Sequence, residues 1–264
     1  LKIFSYQVSI SGGRKFKVMC YETVWQIYEN LEPKFYYEVV LPDEKCKLFF
    51  DLEFEANVNP GKDGHSMVAW LIHLVNKKLH SDFGLFNSEK DVLVLEAFHK
   101  SKFSVHLVFF QTVFQNIQEV GIFTQHLASL LSEDDKQYLS VQHDGKQQLF
   151  IDLSVYRKNQ QFRLFHSRKQ GKMNPLICST INLCEFKDFN KNAVLSSLLT
   201  NVDKDFEAIT THYNCNMMGA SGSSGSSRSL ESSSTKETPF KEIDDRIAEL
   251  ISPGRISGWT YHPP

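Results

Sequence analysis

The segment Cys46-Lys-Leu-Phe-Phe-Asp-Leu-Glu-Phe54 is a run of strand-forming side chains interrupted by two acids, Asp51 and Glu53. A strand alternates its side chains, so both carboxylates share one face while Phe50, Leu52 and Phe54 cover the other. Adjacent carboxylates on an apolar strand repel each other and are costly to desolvate. Such a strand either leaves its acidic face in water, as an edge strand can, or turns it toward a cation. Hard oxygen ligands of this kind suit magnesium or manganese. Alone, Asp-x-Glu is too short a pattern to decide between the two.

Two further stretches bear on the choice. Asp152 interrupts another apolar run, Gln148-Leu-Phe-Ile-Asp-Leu-Ser154, and a second strand could set it beside the first pair. It could equally cap the turn that follows. Three carboxylates from two strands are the number needed to hold two metal ions for in-line phosphoryl displacement. In Lys102-Phe-Ser-Val-His106 the alternation places Lys102, Ser104 and His106 on one face. A cation, a hydroxyl and an imidazole in a row can each donate to phosphate oxygens, although the same pattern suits an ordinary half-exposed strand. Arg157, Lys158, Arg163, Arg168, Lys169 and Lys172 form the densest cationic run, interleaved with Tyr156, Phe162 and Phe165. That mixture fits phosphate and base contact, or simply a solvated face.

The pattern around these residues is α+β. Strands are predicted at 3–10, 14–21, 35–41, 46–54, 91–97 and 103–110, with 147–153 and 161–166 completing one central sheet. Helices are predicted at 22–32, 65–80, 116–131, 190–201 and 240–251, and 132–136 reads as an acidic loop. Residues 219–238 are Ser, Gly, Glu, Lys and Thr with almost nothing apolar, the composition of a disordered linker. The 264 residues can bury a full core, and the formal net charge of −2 shows no bulk basicity. A local basic groove needs none. Cys20, Cys46, Cys178, Cys184 and Cys215 are widely spaced without a Cys-x-x-Cys, against a disulfide framework or a zinc site and in keeping with a reducing compartment. No apolar run is long enough for a membrane span. A chain that opens on Leu1 is expected to be part of a longer one.

In this order the pieces resemble the archaeo-eukaryotic primase superfamily, and specifically its eukaryotic PrimPol branch. Asp51 and Glu53 match the first motif, within a similar stretch from Tyr37 through Phe54. Ser104 and His106 match the second. Asp152 with Val155-Tyr-Arg-Lys-Asn-Gln-Gln-Phe-Arg-Leu-Phe165 matches the third. The Asn59–Gly64 loop, Met67-Val-Ala69 and the tail near Pro239, Ile243 and Trp259 are also similar to that branch.

The resemblance implies a primase fold of two mixed α/β modules with the active site in the cleft between them. Residues 1–44 would form the template and primer side, 45–218 the catalytic module and 219–238 the linker. Residues 239–264 would be a C-terminal helix and tail packed on the core. It implies that Asp51, Glu53 and Asp152 bind two Mg2+ or Mn2+ ions. It implies that Lys102, Ser104, His106, Arg163, Lys169 and Arg14 bind the incoming nucleotide. The expected activity is nucleotidyl transfer on a DNA template-primer with dNTP or NTP, by a monomer, in the nucleus or mitochondrion. The expected setting is damage tolerance or replication restart, with a single-stranded-DNA-binding protein as partner through regions absent here. A metal-dependent nuclease and a catalytically silent nucleic-acid-binding module are the alternatives.

Two departures stand out. Gln160 occupies a position where the branch usually carries an additional arginine, and Gln161 one where asparagine is common. The branch's Cys/His zinc-binding region has no match, so no zinc is expected here. The branch's insertion between the second and third motifs is short, around 132–146.

Overall fold

A computed structural model describes residues 1–203 and 205–213. The linker expected at 219–238 and the helix expected at 240–251 lie outside the described residues. The order is β1 (Lys2–Gln7), β2 (Arg14–Met19), α1 (Tyr21–Tyr28), β3 (Tyr36–Val40), β4 (Cys46–Glu55), α2 (Gly64–Phe83), β5 (Val92–Glu96) and β6 (Lys102–Phe114). Then follow α3 (Ile117–Ser129), α4 (Glu133–Leu139), β7 (Ser140–His143), β8 (Lys146–Leu149), β9 (Gln160–Arg163), β10 (Ile177–Cys178) and α5 (Lys191–Ser197). Among the described residues no helix is long and apolar enough to cross a membrane.

The strands form two four-stranded sheets and a hairpin, not the single central sheet expected. One sheet runs β2-β1-β3-β9, the other β10-β5-β6-β4, and β7 pairs with β8 alone. Alternating side chains mark a segment as a strand, but its partner is chosen by burial from both sides. Hence the segment expected at 161–166 joins the sheet made by the first 44 residues, with Tyr37 opposite Arg163 and Val39 opposite Gln161. Buried Glu38 of β3 accepts from Leu199 N (2.6 Å) and from Thr200 N (2.9 Å) and Oγ1 (2.7 Å). This ties the chain after α5 to the same sheet.

The second sheet is covered on one face by α2, whose Met67, Val68, Leu71, Val75 and Leu79 are buried at helical spacing. Asp63 caps this helix by accepting from His65 N (3.1 Å) and Ser66 N (3.3 Å), and Gly84 ends it in the left-handed conformation. Phe83 of α2, Phe114 of β6 and Phe123 of α3 form an aromatic cluster, Phe83 and Phe114 edge to ring and the other two pairs tilted. The acidic stretch expected as a loop is α4. Ser132 accepts from Asp135 N at 3.1 Å, and the acids of its first turn favour a helix N-terminus.

At the start of α2 the helix lies against the second sheet with no room for a side chain. A Cβ on Gly64 would sit 2.4 Å from the ring of Phe103, itself stacked on Phe54 at 5.0 Å. Gly64→Ala is therefore expected to destabilise the fold by roughly 1–3 kcal/mol, measured as a lower denaturant midpoint with an unchanged m-value.

Candidate active site

Strands β4 and β6 pair antiparallel, with Asp51 opposite His106, Glu53 opposite Ser104 and Glu55 opposite Lys102. Directly paired residues share a face. The acidic pair and the Lys-x-Ser-x-His pattern, half a hundred residues apart in the chain, are thus two edges of one surface. A register shift between Lys47 and Phe49 sets this alignment. The first sheet faces that surface with Tyr37, Gln161 and Arg163.

Asp152 arrives along the free edge of β4. Its N–H donates to Asp51 O at 2.9 Å, and Ile151 bridges to Leu52. Both sequence readings of Asp152 are realised, because its carboxylate also caps a 3-10 turn by accepting from Ser154 N at 2.8 Å. The three acids lie near enough for the charges of Glu53 and Asp152 to act on Asp51, but Glu53 and Asp152 are engaged with other partners. Glu53 forms an ion pair with Lys102 at 2.7 Å, and Asp152 is engaged in its cap. Accordingly, among the described residues no group of three His, Cys, Asp or Glu side chains encloses a cation position.

The chemistry of Asp51 nevertheless fits a divalent ion. Its Oδ1 is buried without a hydrogen-bond partner, and His106 Nε2 lies 3.7 Å away, beyond a hydrogen bond. Burial, then the charges of Glu53 and Asp152, push its carboxyl up to about 7. An unsatisfied, mutually repelled carboxylate is stabilised by a cation more than by any group now beside it. His106 is buried, and burial together with the charges of Arg163 and Lys169 keeps its imidazole neutral. It stacks against Phe162 at 4.3 Å.

Because the folded carboxyl of Asp51 titrates above its unfolded value, its contribution to stability is complete at low pH and is lost as pH rises through about 7. Asp51→Asn removes that loss. The variant is expected to be more stable than the parent above pH 7 by on the order of 4 kcal/mol without metal, the difference closing as pH falls from 7 toward the ordinary carboxylate value of 3.8. Thermal unfolding across that range checks this. Added Mg2+ should narrow the difference, since a cation favours the charged carboxylate.

Two adjoining cavities open over this surface. The first, about 230 Å³, holds Asp51, Glu53, Ser104, His106, Arg163 and Lys169, and is roofed by Gln7, Arg14, Tyr37 and Gln161. Arg14 stacks on Tyr37 at 3.9 Å and donates to Ser5 Oγ at 3.4 Å, while Ser5 donates to Gln161 Oε1 at 2.5 Å. The second, about 270 Å³, shares Ser104, Arg163 and Lys169 and adds Lys102 and Lys172 among its walls. Every nucleotide-site residue expected from the sequence therefore lines one cavity or both. Arg163 is buried with its Nε unpaired between them.

The cationic run divides. Arg163, Lys169 and Lys172 reach the cavities, whereas Arg157 donates to Gln160 Oε1 at 3.1 Å and Arg168 lies over Phe35 at 5.7 Å. Gln160 is held by Arg157 and by Gln161 O at 3.4 Å, so Gln161 and not Gln160 faces the cleft. Sequence reasoning missed Gln7, Ser5 and the roofing place of Tyr37. No motif spacing marks them, for they reach the site only through pairing within the first sheet.

An α+β fold with an Asp-x-Glu strand laid against a Ser-x-His strand, and a basic third segment closing the cleft, defines the archaeo-eukaryotic primase class. Curated proteins with similar sequences carry the name DNA-directed primase/polymerase protein. The one from Danio rerio is 33% identical over 96% of this chain and 58% of its own length. Those from Mus musculus and Homo sapiens are 29% and 27% identical, over 96% and 99% of this chain. Over nearly its whole length the chain is thus similar to proteins of the PrimPol family, and it spans about three-fifths of the length of these relatives. No family model matches it.

Proposed function

We propose that this chain is the catalytic core of a DNA-directed primase-polymerase, a nucleotidyltransferase that adds dNTPs to a primer on a DNA template. The observation that carries the reading is the pairing of Asp51 and Glu53 with His106 and Ser104 beside a cavity walled by cations. Asp51, Glu53 and Asp152 would hold two Mg2+ or Mn2+ ions, Glu53 exchanging its Lys102 contact for metal. Bound there, the ions would polarise the α-phosphate and lower the pKa of the attacking hydroxyl.

The chain's own side chains do the rest by positioning and charge. In the reaction a primer 3′-hydroxyl attacks the α-phosphorus and pyrophosphate leaves. Arg163 and Lys169 reach both cavities and so span the triphosphate. Lys102 and the Ser104 hydroxyl bind its far end, and the neutral imidazole of His106 offers a single N–H without adding charge. Arg163 comes desolvated, which strengthens its attraction for phosphate oxygens. Arg14, held on Tyr37, lies at the template-facing roof. By the same reading the protein works on DNA in the nucleus or mitochondrion.

A templated extension assay with dNTPs and either Mg2+ or Mn2+ tests the proposal. Labelled primer should lengthen only with metal present. Primer that shortens would point to a metal-dependent nuclease, and primer unchanged in length to a silent binding module.

A further inference from the structure

Lys169 reaches both cavities, yet it sits on a short turn outside helix and strand, and a residue from the start of the chain holds that turn. We propose that Gln7 is a positioning residue for nucleotide binding: its side-chain amide ties the Lys169–Lys172 turn to the β1–β2 hairpin and so fixes where the Lys169 ammonium stands. The inference rests on the nucleotidyl-transfer reading and extends it to a residue outside the three motifs.

The turn satisfies itself only in part. Lys172 N donates to Lys169 O at 3.0 Å, and Gly171 in third place takes φ +79, the left-handed value that this place in a type II turn requires. The N–H of the second residue, Gln170, has no partner inside such a turn. Gln7 supplies one, for Gln170 N donates to Gln7 Oε1 at 3.0 Å. The orientation of this amide is set from its other end, where Nε2 donates to Ser9 O at 3.1 Å. The Tyr37 hydroxyl also donates to Oε1, at 3.5 Å. One side chain thus joins hairpin, roof and turn.

The hairpin is the fixed side of this tie. At its tip Val8 N donates to Gly13 O at 2.8 Å, Gly12 N to Ser9 O at 3.1 Å and Gly13 N to Ser9 Oγ at 2.9 Å. Ile10, otherwise 77% exposed, packs on Gly171; a Cβ added there would lie 3.1 Å from Ile10 Cγ1. Arg14, the first residue of β2, roofs the first cavity from the same hairpin. A lysine has a flexible stem, so its grip on a phosphate oxygen depends on how firmly its backbone is held. Through Gln7 the Lys169 backbone is held at a set distance from the roof.

A double-mutant cycle in primer extension tests the role. Gln7→Met keeps the length of the side chain and loses its polar contacts. It should raise KM for dNTP roughly threefold to tenfold, the scale of one net hydrogen bond, and leave KM for primer-template unchanged. With Lys169→Ala already in place, Gln7→Met should add less than about twofold, because the residue through which it acts is gone. Amide hydrogen exchange needs no activity and reads the fold in the same sample. The Gln170 N–H should be protected in wild type and exchange freely in Gln7→Met, with the core strands equally protected in both. Effects that multiply across the cycle, a Gln7→Met variant with unaltered KM for dNTP, or a Gln170 amide unprotected in wild type would each overturn the proposal. Wild type that extends no primer would sink the polymerase reading and this role with it, whereas wild-type extension with multiplying effects sinks the role alone.

Discussion

Asp51→Ala with Glu53→Ala should abolish metal-dependent primer extension while leaving the protein folded and at least as resistant to heat above pH 7. The two outcomes have one cause. Asp51 is a buried carboxyl whose Oδ1 has no partner, pushed up to about 7 by burial and by neighbouring acids. It costs the metal-free fold stability when ionised, so removing it relieves repulsion and takes nothing from the core, which Phe50, Leu52 and Phe54 fill from the other face. Loss of the acidic pair proposed to hold the metal ions should lower the extension rate by at least about 10³-fold, the scale on which a preorganised electrostatic contact to a transition state acts. The measurements are single-turnover extension and thermal unfolding at pH 8. Undiminished extension would remove Asp51 and Glu53 from the site. A collapse of the melting temperature would show that the pair serves the fold.

Arg163→Ala should have the next largest effect. Arg163 is buried, lines both cavities, and keeps an unpaired Nε between the acidic surface and the lysines. Its charge sits between a desolvated neutral imidazole and a carboxyl that resists ionisation, so a triphosphate is the partner that would complete it. Truncation should reduce kcat/KM for dNTP by about 10²–10³-fold, with KM for primer-template nearly unchanged. Lysine at this position should recover only part, since it lacks the planar fork that grips two phosphate oxygens. Steady-state kinetics with dNTP and DNA varied separately will show it. An equal rise in both KM values would assign Arg163 to general fold support.

Much of the site was legible because strand alternation is a local property. Period two alone put Asp51 with Glu53 and Lys102 with Ser104 and His106, and the strand pairing confirms each face. The basic segment was legible only as charge. Which of its cations serve the site depended on β9 turning Arg163 inward, and on the turn after it aiming Lys169 and Lys172 at the second cavity. Arg157 and Arg168, equally charged, went to other partners. The acidic stretch at 132–136 was misread for a local reason. Charge there suggested solvent, but Ser132 followed by acids is a helix start.

The sequence by itself thus determined the chemistry available: two acids on one strand face, a third on another apolar run, and a strand with Lys102, Ser104 and His106 on one face. Periodicity is written residue by residue and needs no partner. Only the tertiary structure decided who stands beside whom. The pairing of β4 with β6 and of β3 with β9 is chosen by long-range burial, which no local pattern encodes. That choice brought the first 44 residues, with Arg14 and Tyr37, over the acids, and opened a second cation-walled cavity beside them.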